Sequence, residues 1–193
     1  MKILIPLLLV FLTISCNKQE KKTLSEYQKN INKKITQNKP FFDFDEVVHY
    51  QIQDPSNDYY DSEVADTVPT KKRLLFMLLR YPCPVTQEEK KGFKEALEFA
   101  DKEEYKINPK YNKELNWVFS EKKCDNIWEY ACAPTYRDIF IFKKNKEEIG
   151  IAKICFECQL YSISNKDANT RCFNMNGELD RLSKIILENK KNK

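Results

Sequence analysis

Two runs of β-branched and aromatic residues, Asp138 to Lys143 and Glu148 to Cys155, flank a polar turn at Lys144 to Glu147. Ile139, Ile141, Ile149, Ile151 and Ile154 favour a pleated, half-buried surface, so this stretch is expected to form a β-hairpin. A tight turn centred on Asn145-Lys146 pairs residues whose numbers sum to 291. Carried outward, that register sets residue 136 opposite Cys155 and residue 133 opposite Cys158. Cys132 then lies close to Cys158, provided Pro134 does not divert the chain. Cys132, Cys155 and Cys158 are therefore expected to form one cluster beyond the open end of the hairpin. A lone hairpin is marginal in water, so the rest of the chain must cover it.

The covering elements are mostly helical. Thr23-Leu24-Ser25-Glu26 has the capping-box pattern, and Leu24, Tyr27, Ile31 and Ile35 recur at helical spacing. A helix is expected from Leu24 to Gln37, ended by Asn38-Lys39-Pro40, either packed on the domain or left with a stalk. Val48, Tyr50 and Ile52 alternate with polar neighbours and predict a strand within Phe41 to Gln53. Pro69-Thr70 opens a helix reaching Arg80, which Tyr81-Pro82-Cys83-Pro84 breaks. Thr86-Gln87-Glu88-Glu89 is a second capping box ahead of Phe93, Ala96, Leu97 and Ala100. Asn108-Pro109 caps a further helix with Tyr111, Leu115, Val118 and Phe119 on one face. Gln159 to Ser164 is a third strand candidate. The last helix follows Asn176-Gly177 and turns Leu179, Leu182, Ile185 and Ile186 inward. The expected class is α+β: a small antiparallel sheet with a C-terminal hairpin, packed against several helices.

The N-terminus carries an address. Lys2, an apolar run from Ile3 to Leu12 and Thr13-Ile14-Ser15-Cys16 have the layout of a secretory signal peptide. The run falls well short of the roughly 20 residues that span a bilayer. Leu12-Thr13-Ile14-Ser15-Cys16 resembles a bacterial lipobox, although Thr13 stands where that motif prefers leucine. The resemblance implies a lipidated Cys16, with acyl chains such as palmitate, as the mature N-terminus. Each buried methylene contributes about 0.8 kcal/mol, so several chains anchor durably. An ordinary signal peptidase would cut the same bond and release a soluble protein. The expected division is residues 1–15 as signal peptide, 16–38 as anchor, tether and short helix, and 39–193 as a single α+β domain.

Composition narrows the chemistry. A chain with 41% hydrophobic and 32% charged residues is neither a disordered tail nor a polytopic membrane protein. Three glycines cannot build a dinucleotide-binding turn, a P-loop or a nucleophile elbow, and His49 alone cannot supply a two-histidine zinc motif. Lys184, Lys190, Lys191 and Lys193 gather at the C-terminus and read as a solvated end, so no nucleic-acid partner is expected. Asp54, Ser56 and Asp58 imitate a calcium loop, but Tyr59 and Ala65 occupy the positions that need glycine and glutamate. Asp66-Thr67-Val68 resembles the short O-glycosylation sequon of Bacteroidota envelope proteins. His49 reads as a satisfied strand residue, not a catalyst.

Beyond Cys16, six cysteines remain: Cys83, Cys124, Cys132, Cys155, Cys158 and Cys172. An even number in an exported chain argues for disulfides, with fifteen complete pairings open. Cys155-Phe156-Glu157-Cys158 also invites a thiol–disulfide enzyme. Fully extended, however, its Cα atoms would stand roughly 10 Å apart, and a disulfide tolerates only about 7 Å. Cys124, Cys132, Cys155 and Cys158 could offer thiolates to zinc, but the first two are too widely spaced for the usual pattern. No metal, cofactor or catalytic residue is assigned.

The segment from Tyr136-Arg137-Asp138-Ile139-Phe140-Ile141-Phe142 through Ile154-Cys155-Phe156-Glu157-Cys158 resembles a recurring pattern in small uncharacterised lipoproteins of Bacteroidota. The resemblance implies a compartment and no chemistry. The expectation is a lipid-anchored cell-envelope protein on a bacterial membrane, the outer one first, and non-enzymatic. Its disulfide-braced domain would meet the membrane through its lipid and contact an envelope protein or glycan. The alternatives are a thiol–disulfide oxidoreductase using Cys155 and Cys158, and an inhibitor or immunity lipoprotein.

Overall fold

A computed structural model describes residues 25–53, 70–127 and 131–191. The expected signal peptide, Cys16, the acidic loop of residues 54–66 and Thr67 lie outside the described residues.

The hairpin is the centre of the molecule. Strands β3 (Asp138–Lys144) and β4 (Glu147–Cys155) pair antiparallel across Asn145 and Lys146, whose φ angles of 52° and 72° are those of a type I′ turn. Lys144 faces Glu147 and Lys143 faces Glu148, as the sum of 291 requires. The register then slips: Phe142 faces Gly150, and every later pair is displaced by one residue. This corrects the register read from sequence, and the cause is a β-bulge that leaves Ile149 unpaired and 41% exposed.

The bulge sets Gly150 beneath the ring of Phe42. A Cβ at Gly150 would lie 2.1 Å from Phe42 Cε1, far inside contact distance. Phe42 is itself wedged, stacked at 4.4 Å on Phe142. Gly150→Ala is therefore expected to cost about 2–3 kcal/mol through overpacking, seen as a lowered urea midpoint with unchanged slope. Adding Phe42→Leu should recover part of the loss, which a merely propensity-driven effect would not do.

Strands β1 (Glu46–Ile52), β2 (Lys102–Lys106) and β5 (Leu160–Ile163) complete a sheet of order β2-β1-β3-β4-β5, antiparallel at every pairing. Its neighbouring residues point to opposite faces, and both faces are buried. On one face Val47, Phe140, Phe142, Ala152 and Ile154 meet helices α4 (Asn112–Val118) and α5 (Glu178–Lys191), with Phe41, Phe119 and Phe173 between. On the other, Ile52, Ile139, Ile141 and Ile151 meet α2 (Thr70–Arg80) and α3 (Gln87–Phe99). The class is α+β.

Local chemistry explains the helix ends. Thr86 accepts from Glu89 N–H while the Glu89 carboxylate accepts from Thr86 N–H, closing the capping box of α3. Asn108 caps a 3₁₀ turn at Pro109–Tyr111 that leads into α4. Helix α1 (Glu26–Lys33) is shorter than its periodicity suggested, starting at the Ser25 cap. It lies on the body, where Ile31 and Ile35 are buried against Cys124 and Cys172.

Candidate functional site

Four cysteines form two cross-links: Cys124–Cys172 and Cys132–Cys158. The second follows from how residues 133–136 are held. Arg80 donates to the carbonyls of Ala133 and Pro134 at 3.1 and 3.0 Å, and Tyr136 N–H donates to Leu79 O at 2.7 Å. The end of α2 thus steers the chain past Pro134, and exposed Cys132 arrives at Cys158. Cys158 lies in the turn between β4 and β5, where Gln159 has φ 55°. That turn brings its N–H within 3.4 Å of the Cys155 sulfur. The three cysteines of the expected cluster are together, with Cys132 and Cys158 bonded and Cys155 a buried free thiol. Cys83 is the other free thiol, and it is also buried.

The Cys124–Cys172 bond lies where α1 meets the domain. Gln28, itself buried, donates to Cys124 O at 2.8 Å and to the Cys124 sulfur at 3.1 Å. Asn32 donates to the same carbonyl at 2.9 Å and accepts from Cys124 N–H at 3.2 Å. Glu121 ties down the chain beyond the helix: its carboxylate accepts from Thr36 N–H at 2.7 Å and Asn169 N–H at 3.2 Å. Between α1 and residues 168–171 these bonds leave a cleft of about 430 Å³, with Ile31 and Ala168 contributing apolar surface and Lys34 and Arg171 lining it. Arg171 reaches across to donate to the Tyr27 hydroxyl at 3.1 Å.

A second polar cluster lies buried beneath the α2–α3 connection. The Cys83 thiol donates to Ser162 O at 3.2 Å, and Cys83 N–H donates to Ser162 Oγ at 2.8 Å. Burial pushes this thiol above its usual range. Lys153, on β4, is 1% exposed; its ammonium donates to Tyr81 O and lies 4.9 Å from the centre of the Tyr136 ring. Burial lowers its pKa to about 8, against the smaller opposing pull of Cys83. The Tyr136 hydroxyl is pushed up by burial first and then by Cys83 and Cys155.

His49 is a core residue. It is fully buried, its Nε2 is 2.7 Å from Asp138 Oδ1, and its ring stacks on Phe140 at 4.5 Å. Lys190, read from sequence as part of a solvated tail, instead bonds Gln51 Oε1 at 2.5 Å and covers the Tyr105 ring. Among the described residues no three His, Cys, Asp or Glu side chains are placed to hold a metal ion, and no helix is long and apolar enough to cross a membrane. No protein-family model, curated protein or solved structure matches this chain.

Proposed function

We infer that the chain is an exported cell-envelope protein, anchored by acyl chains on Cys16, whose disulfide-braced domain binds or supports another molecule without turning it over. The observation that carries this reading is the pair of cross-links, Cys124–Cys172 and Cys132–Cys158, in a chain whose N-terminal apolar run is followed by Cys16. Such bonds persist in oxidising compartments and are rare in the cytosol. The outer membrane is the proposed seat, with an envelope protein or glycan as partner.

The non-enzymatic part rests on how the reactive side chains are employed. His49 is locked against Asp138 inside the core, and Cys158 is bonded to Cys132. A thiol–disulfide enzyme would instead cycle Cys155 with Cys158, and Cys155 is 2% exposed. Intact and peptide mass spectrometry of the native envelope protein tests the reading. The expected result is loss of residues 1–15, acylation at Cys16 and both cross-linked peptides. Retention of Met1, or recovery of the four cysteines as thiols, would overturn it. In an insulin-reduction assay the mature protein is expected to show no turnover; rapid turnover would favour the oxidoreductase.

A further inference from the structure

The cleft between α1 and residues 168–171 brings two cationic side chains to one lining. Within the cleft, Lys34 comes from the C-cap of the helix and Arg171 from the facing loop, and no lining residue is acidic. Among the described residues neither cation makes an ion pair, whereas Glu121, which reaches this loop, is already engaged by Thr36, Asn169 and Lys39. Neutral donors complete the set: the Tyr27 hydroxyl and the Asn30 amide, beside the apolar surface of Ile31.

Both walls are fixed before any ligand arrives. Arg171 adjoins Cys172, whose bond to Cys124 pins the loop, and Gln28 and Asn32 pin α1 to that same Cys124. Preorganisation of this kind lowers the ordering cost of binding. A planar guanidinium opposite a mobile ammonium, with hydroxyl and amide donors between, suits a tetrahedral oxyanion approached from several sides. The cleft, at about 430 Å³, is larger than a bare phosphate needs and falls in the range of small-molecule sites.

We propose that this cleft is a binding site for an organic phosphate, held by Arg171 and Lys34 with its carbon body against Ile31 and Ala168. The proposal deepens the reading of the chain as a binding module and rests on it. Two sources share this chemistry, a phospholipid headgroup and a soluble phosphate ester. An acylated Cys16 would keep α1 within roughly 35 Å of the bilayer, since ten residues separate them at about 3.3–3.6 Å each.

The test uses mature protein in neutral-detergent micelles, observed by amide resonances of residues 27–34 and 168–171. One arm titrates glycerol 3-phosphate; the other dopes the micelles with phosphatidylglycerol, using phosphatidylcholine as control. Saturable shifts are expected, weakened at least tenfold by Arg171→Gln or Lys34→Gln and unchanged by Lys90→Gln on α3, across the sheet. A response to both probes in competition identifies a headgroup site, and a response to glycerol 3-phosphate alone identifies a soluble ester. Shifts absent with both probes, or indifferent to the Arg171 and Lys34 variants, overturn the site. Because these shifts do not require acylation, a bare Cys16 with intact binding would remove the anchor and leave the site standing.

Discussion

Replacing Cys124 and Cys172 together by alanine is expected to lower the unfolding free energy by about 3 kcal/mol while Cys132–Cys158 stays closed. The sequence separation of 48 residues would by itself give about 4 kcal/mol in the chain-entropy account. The inner bond, spanning 26 residues, lies within that loop and already shortens it in the unfolded chain. The two bonds should therefore be non-additive, and the Cys124–Cys172 contribution should grow by up to about 1 kcal/mol once Cys132–Cys158 is removed. Urea titration of the three variants measures this. The loss should also be local, because Gln28 and Asn32 hold α1 through Cys124 itself. Trypsin should consequently cut at Lys29, Lys33 and Lys34 faster than at lysines of α3. Equal acceleration at both places would mean that the bond braces the whole domain and not this helix.

Features set by local pattern were legible in the sequence, and features set by distant packing were not. The hairpin, its turn, the α3 capping box and the inward face of α5 were legible because each depends on neighbours in the chain. The strand Lys102–Lys106 was invisible. Its five residues carry four charges and no alternating apolar set, and it belongs to the sheet only as an edge beside β1. The bulge before Gly150 was equally hidden, since its partner Phe42 lies more than a hundred residues away. Proximity of Cys132 to Cys158 survived the one-residue slip, as a turn and the α2 contacts bring both ends together. The Cys124–Cys172 bond could not be read, because neither cysteine lies in a strand whose register could be counted. Nor could the cleft be read, since its walls, residues 27–34 and 168–171, lie far apart in the chain.

Lys153 should be a stability defect at neutral pH, and Lys153→Met should stabilise the fold by about 2 kcal/mol at pH 7. It stands between Ala152 and Ile154, and the Tyr81–Cys83 segment covers its face of β4. Its pKa falls from 10.5 to about 8 on folding. At about 1.4 kcal/mol per unit, the folded ammonium costs about 3 kcal/mol below pH 8, from which the lost bond to Tyr81 O must be deducted. Between pH 8 and 10.5 the unfolded chain holds a proton that the folded one has released, so stability rises with pH across that window. Cys83 works in the other direction. Its folded thiol keeps its proton above pH 9, after the unfolded thiol has lost it, so its contribution falls as pH climbs further. Tyr136, and Tyr161 pushed up to about 12, extend that fall above pH 10. The native protein should thus gain stability from pH 8 to 9 and then flatten or decline. In Lys153→Met the first rise should vanish and the decline remain. Urea midpoints measured from pH 7 to 10 would show this, and a rise that persists in the variant would assign the effect to another group.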